Sequence, residues 1–83
     1  MSTITQNANW ELLDEIQKVA LDYGISRIEQ FPYDNRVEIT YWGAGQGSIL
    51  SDLITDRLDK VAPDRDYRIK MIPSDKNLIV ELL

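Results

Sequence analysis

The stretch running from Tyr41 to Ser48, YWGAGQGS, is where chemistry would first be sought. An apolar run ends at Trp42, glycines follow at 43, 45 and 47, and Ser48 opens an amphipathic pattern. Strand, glycine loop and helix N-terminus in that order form a cradle for phosphate. Two features argue against such a cradle. No lysine or arginine lies between Arg36 and Arg57, and Asp52 would repel an anion from the first turn of the helix. Residues 43–47 are better read as a joint, a flexible connection between two structural units. A joint needs length rather than identity, so serine at positions 45 and 46 should leave stability unchanged. No cofactor is expected.

Other routes to catalysis are few. The chain has no histidine and no cysteine. Zinc sites built on those ligands are therefore excluded, as is every nucleophile activated by histidine. Carboxylates remain, and Glu38 and Glu81 fall on strands that can be neighbours. Two carboxylates can divide acid and base roles. A domain of this size, however, offers no evident pocket around them. The sequence thus points away from an enzyme and toward a protein that acts by binding.

Two amphipathic helices must position whatever surface does this. In NWELLDEIQKVALDYG the apolar positions Trp10, Leu13, Ile16, Val19, Ala20 and Tyr23 recur at spacings of three and four, with Asn9 as N-cap and Gly24 as stop. In SILSDLITDRLDKVAP the apolar face is Ile49 or Leu50, Leu53, Ile54, Leu58 and Val61, capped by Ser48 and ended by Pro63. Each helix leads into two runs of period two: ISRIEQF and RVEITYW joined by PYDN, then YRIKMI and LIVELL joined by PSDKN. In both turns proline presets φ and an aspartate two residues later can bond local backbone.

The chain also reads as if written twice. Residues 12–22 over 54–64, and 27–42 over 68–83, agree at nine of 27 positions, where chance gives about two. Among the matches are Asp14 with Asp56, Lys18 with Lys60, Pro32 with Pro73 and Asp34 with Asp75. The expected architecture is α+β: a duplicated αββ unit, in the order αββαββ. It forms one four-stranded, mainly antiparallel sheet with both helices on one face. Its topology is similar to a circularly permuted ferredoxin-like fold. Residues 1–8 are expected to be a flexible N-terminus. Residues 9–83 are read as a single domain of two repeats, 9–42 and 48–83.

Composition narrows the partners. The 83 residues carry a formal net charge of −5. That disfavours a nucleic-acid backbone and suits a basic protein partner. The segment MSTITQNAN lacks the basic start and apolar core of a signal peptide, and no apolar run is long enough to span a bilayer. With cysteine absent, these features place the chain in the cytoplasm, away from membranes.

Strand parity puts Ile28, Val37, Ile39, Tyr41, Ile69, Met71, Leu78, Val80 and Leu82 on the inner face. It leaves the outer face open, with Trp42, Phe31, Ile79 and Leu83 as an apolar patch and Arg27, Arg36, Arg68 and Lys70 as cations. That face is the first expected interface, for another protein or a second copy of the chain, with Trp42 its main anchor. Its alternative use is as an open sheet that binds nucleic acid. The second expected interface is the acidic helix face of Asp52, Asp56 and Asp59 with Glu11 and Glu15. The functional reading is a small acidic binding protein. Its sharper form is an inhibitor of the immunity-protein, antitoxin or phage anti-defence type, including one that imitates a nucleic-acid backbone.

Overall fold

The computed structural model describes residues 9–83; the expected flexible segment 1–8 lies outside the described residues. Helix α1 (Asn9–Tyr23) leads into strands β1 (Arg27–Phe31) and β2 (Arg36–Thr40). Helix α2 (Gln46–Val61) leads into β3 (Tyr67–Ile72) and β4 (Asn77–Leu82). The strands form one sheet in the order β1-β2-β4-β3, every neighbouring pair antiparallel. The protein is therefore α+β, with two α-helices and a four-stranded antiparallel sheet among the described residues. No helix among the described residues is long and apolar enough to cross a membrane.

The hairpin turns are built alike. Pro32–Asp34 and Pro73–Asp75 each make one 3-10 turn, followed by a left-handed residue, Asn35 or Lys76, both at φ 54°. Proline starts each turn at the φ that the first position requires. The residue after the turn donates its N–H back to the proline carbonyl, at 3.2 Å in the first and 3.1 Å in the second. Asp34 does not bond local backbone as expected; its carboxylate takes the Arg36 guanidinium at 2.6 Å.

The helices depart from their expected faces. In α1 the buried residues are Leu12, Leu13, Ile16, Val19 and Ala20, while Trp10 is 62% exposed. The contacting arc is centred on Ile16, and Trp10 lies off it. Asn9 is the first described residue and lies within the helix rather than capping it; its side chain bonds Asn35 and receives Arg65. Gly24 does end the helix, at φ +100°, and donates its N–H to the Ala20 carbonyl at 3.0 Å. In α2 only Gly47, Leu50, Ile54 and Leu58 are buried. Of the alternatives Ile49 and Leu50 it is Leu50 that is buried; Leu53 and Val61 are exposed, contrary to the expected stripe.

Both helices share a single core with the inner face of the sheet: Val37, Ile39 and Tyr41 from the first half, Leu78, Val80 and Leu82 from the second. The ladders stack these in register. Ile39 faces Leu78 and Val37 faces Val80 across the sheet centre. Ile28 and Ile69, on the outer strands, are only partly buried, and Met71 is exposed. Edge strands have one flank open, so inner parity alone does not bury them.

Candidate protein-interaction surfaces

The glycine joint is an ordered turn. Helix α2 begins at Gln46, with Gly45 as N-cap, so neither Ser48 nor an extended 43–47 linker starts it. The Gln46 Oε1 accepts the N–H groups of Trp42 and Gly43, both at 2.9 Å, and its own N–H bonds the Gly43 carbonyl at 3.0 Å. Gln46 thereby ties the end of the first hairpin to the helix start, so its identity does matter. Gly47 is buried inside the first turn. A β-carbon there would come within 2.7 Å of the Tyr41 ring carbon Cζ and its Oη, and 3.0 Å of the Met71 sulfur. Glycine lets α2 approach the sheet closely. The Tyr41 hydroxyl beside it is buried and has no hydrogen-bond partner among the described residues.

The outer sheet face is organised in three cross-strand rows. Arg27, Thr40, Asn77 and Ile72 form the first, Glu29, Glu38, Ile79 and Lys70 the second, and Phe31, Arg36, Glu81 and Arg68 the third. The expected apolar patch is not assembled. Ile79 is flanked by Glu38 and Lys70. Leu83 follows the end of β4 away from Asn77, whereas Trp42 lies beyond Thr40, the partner of Asn77. Trp42 and Leu83 therefore stand at opposite ends of the sheet, both exposed. Phe31 is covered by the Arg36 guanidinium, 4.3 Å from its ring centroid.

The cations of this face are largely engaged. Arg36 holds Asp34 at 2.6 Å and Glu38 at 3.0 Å. The Glu38 hydrogen bond is the main reason that its pKa lies above the ordinary arginine value. Arg68 holds Glu81 at 2.8 Å and Arg27 approaches Glu29 at 3.8 Å. Glu38 and Glu81, the carboxylates considered for acid–base roles, are not cross-strand neighbours: Glu38 faces Glu29 and Ile79, and Glu81 faces Arg36 and Arg68. A shallow polar depression of about 160 Å³ lies among Arg27, Glu29, Glu38, Thr40 and Asn77.

The helix layer is different in kind. Asp52, Asp56 and Asp59 are all exposed, and their spacing of four and three puts them on one face of α2. Two exposed apolar residues stand among them, Ile49 at 52% and Leu53 at 40%. Leu53 also enters a groove of about 380 Å³ between the helices, with Val19 and Tyr23 on the α1 wall and Asp56, Arg57 and Lys60 on the α2 wall. Glu15 is not free to join the acidic stripe. It accepts Arg57 at 2.8 Å and pairs with Lys18 at 3.7 Å. Glu11 is exposed in the first turn of α1. Asp59 accepts the Tyr67 hydroxyl at 2.9 Å. Partial burial, reinforced by this bond, pushes the Tyr67 pKa up from its ordinary value.

Sequence reading left Ile49 or Leu50 open and missed the exposure of Leu53 and Val61. The signal was present: the apolar set 49, 50, 53, 54, 58 and 61 spans too wide an arc to be buried by one sheet. No protein-family model matches the chain, and no curated protein or solved structure does.

Proposed function

We propose that this protein acts without catalysis, by binding a basic protein surface through the outward face of α2. The observation that carries the reading is the placement of Ile49 and Leu53, both exposed, among the carboxylates of Asp52, Asp56 and Asp59. Leu53 meets Arg57 and Lys60 on its groove side, and the carboxylates border both anchors on the other; apolar anchors beside such a row give a surface both affinity and direction. Buried apolar contacts slow dissociation, and like charges around them speed the approach of an oppositely charged partner. The adjoining groove can receive a side chain. The inhibitor form of the reading follows from this chemistry, since a carboxylate row on a helix competes with a phosphate backbone for a basic site. The nucleic-acid alternative loses its main support, because Arg27, Arg36 and Arg68 have carboxylates beside them.

The same proposal takes the chain as an internally duplicated αββ unit with permuted ferredoxin-like topology. Several correspondences support it at one offset, 41 residues. The 3-10 turns, the left-handed residues and both hairpin registers coincide. The central ladder is reciprocal as well. Tyr41 donates to the Lys76 carbonyl at 2.9 Å, and Leu82, the counterpart of Tyr41, donates to Asn35, the counterpart of Lys76, at 2.8 Å. Moving the first strand of a βαββαβ chain to its end yields an αββαββ order.

The test begins with capture of a partner by the full chain from host lysate, followed by titration of purified variants at two salt concentrations. Asp52→Asn with Asp56→Asn and Asp59→Asn should slow association by about tenfold and flatten its salt dependence. Leu53→Ala should speed dissociation. If both variants bind as the parent does while Trp42→Ala abolishes binding, the interface lies at the sheet end and the α2 reading is wrong.

A further inference from the structure

The free edge of the sheet at β1 carries a pattern that fits a second copy of itself, and this goes beyond the α2 reading because it uses other elements. In an antiparallel ladder the N–H and C=O of one residue point to the same side, and successive residues alternate. Tyr41 bonds toward β4, and Ser26 donates to Thr40 at 2.9 Å, so Thr40 faces β1. By alternation Glu38 and Arg36 also face β1, and their partners Arg27, Glu29 and Phe31 face β2. Ile28 and Gln30 therefore turn their backbone groups outward, where no described strand lies.

We propose that two copies of this chain pair antiparallel along β1, with the twofold axis at Ile28, to make one continuous eight-stranded sheet. This register makes Ile28 a hydrogen-bonded pair with its own counterpart, as its outward N–H and C=O require. It also places Arg27 of each copy opposite Glu29 of the other. That pair is of the non-hydrogen-bonded kind, in which side chains approach most closely. One strand thus supplies both halves of two ion pairs. At present Arg27 and Glu29 meet only loosely within the chain, and Glu29 faces the like charge of Glu38. A cation from a second copy relieves that.

The helix above the edge fits the same occupant. Asp14 and Gln17 bind Gln30 of β1. Trp10, Asp14, Gln17 and Leu21 follow one another at helical spacing, so the exposed Trp10 and Leu21 lie along the same side of α1. A helix advances 1.5 Å per residue and a strand about 3.3 Å. Leu21 accordingly lies near the level of Ile28, at the axis, where it meets its own counterpart. The opposite edge does not offer this. The equivalent axis at Ile69 of β3 would place Arg68 opposite Lys70, and like charges across a ladder repel.

The test is sedimentation equilibrium of the full chain over a concentration series reaching about 1 mM, since an edge contact of modest area gives a dissociation constant in roughly the micromolar to hundred-micromolar range. Glu29→Arg and Arg27→Glu should each weaken self-association by about tenfold or more, and an equimolar mixture of the two variants should recover it as a heterodimer. Amide exchange at Ile28 and Gln30 should slow as concentration rises. Lys70→Glu should change nothing. A parent chain that stays monomeric throughout, a dimer indifferent to both charge reversals, or a mixture that fails to recover would each overturn the proposal. Both variants alter exposed side chains, and their circular dichroism will show that they fold.

Discussion

β1 and β3 hold equivalent outer positions in the sheet, and each is roofed by the helix of its own half. Over β1 the roof is tied by polar bonds, from Gln30 to Asp14 and Gln17. Over β3 the counterpart of Gln30 is Met71, whose sulfur packs toward Gly47, and the polar tie moves along the strand to Tyr67 and Asp59. The hairpins beneath keep the same register and turn geometry. Hairpin geometry is fixed by short-range backbone chemistry, whereas a helix–strand contact can be remade by changing one side chain on each element. The two halves thus agree where the backbone decides and differ where side chains do.

The largest expected effect tests the shared frame. Ile39 and Val80 occupy corresponding places at the sheet centre, and both are fully buried. Ile39→Ala should cost on the order of 2–4 kcal/mol and Val80→Ala somewhat less, since one methylene fewer is lost. Denaturant melts of both variants will check this. A small effect at either site would show that only one half carries the core.

Next in size is the difference at the roofs. Gly47 sits under Tyr41 and Met71 where a β-carbon does not fit. Gly47→Ala should therefore destabilise by about 1–3 kcal/mol, despite the higher helix propensity of alanine. Tyr41→Phe removes the buried hydroxyl that has no partner among the described residues. Alone it should be neutral or stabilising, and combined with Gly47→Ala it should recover part of the loss. Gln46→Ala should cost about 1 kcal/mol, the scale of a lost cap. Near-parent midpoints for Gly47→Ala and Gln46→Ala would restore the tether reading of this segment.

That segment shows what the sequence conveyed and what it did not. Element type, order and hairpin parity were legible because they rest on apolar period and proline position. Alternating glycines signal freedom, but not that Gly47 is chosen for contact with Tyr41, six positions earlier and just past the end of β2. Trp10 and Leu53 were assigned to the interior by size and spacing. Their exposure depends on how far each helix rolls against the sheet, which no local pattern encodes. The outer-face cations were placed correctly by parity, yet their pairing with Asp34, Glu38 and Glu81 became visible only with the register.

A smaller effect separates the two turns. Asn35 and Lys76 adopt the same left-handed backbone, which asparagine tolerates better than lysine. Lys76→Asn should stabilise by about 0.5–1 kcal/mol. Asn35→Lys should be unfavourable by more than that, because it also removes the bond from Asn9 at 2.7 Å. Thermal melts of the two variants will show whether the halves differ in this way. Equal shifts of opposite sign would mean that the Asn9 contact adds nothing.

The smallest effect concerns the tie that only the second half has. The Tyr67 hydroxyl donates to Asp59, and partial burial with this bond raises its pKa above the ordinary 10.0. A raised pKa means that the folded chain holds this proton more tightly than the unfolded chain. The stabilisation is then complete below the unfolded tyrosine pKa and is lost as pH rises through the folded value. Tyr67→Phe should lose less than about 1 kcal/mol near neutrality, since Asp59 is exposed and water replaces much of the bond. Its stability should also fall less steeply than the parent's above pH 10, where the parent has one more tyrosine titrating late. Urea midpoints measured at neutral pH and at successive alkaline pH values give both numbers. If parent and variant lose stability in parallel, the alkaline sensitivity belongs to other tyrosines and the Asp59 tie does not distinguish the second half.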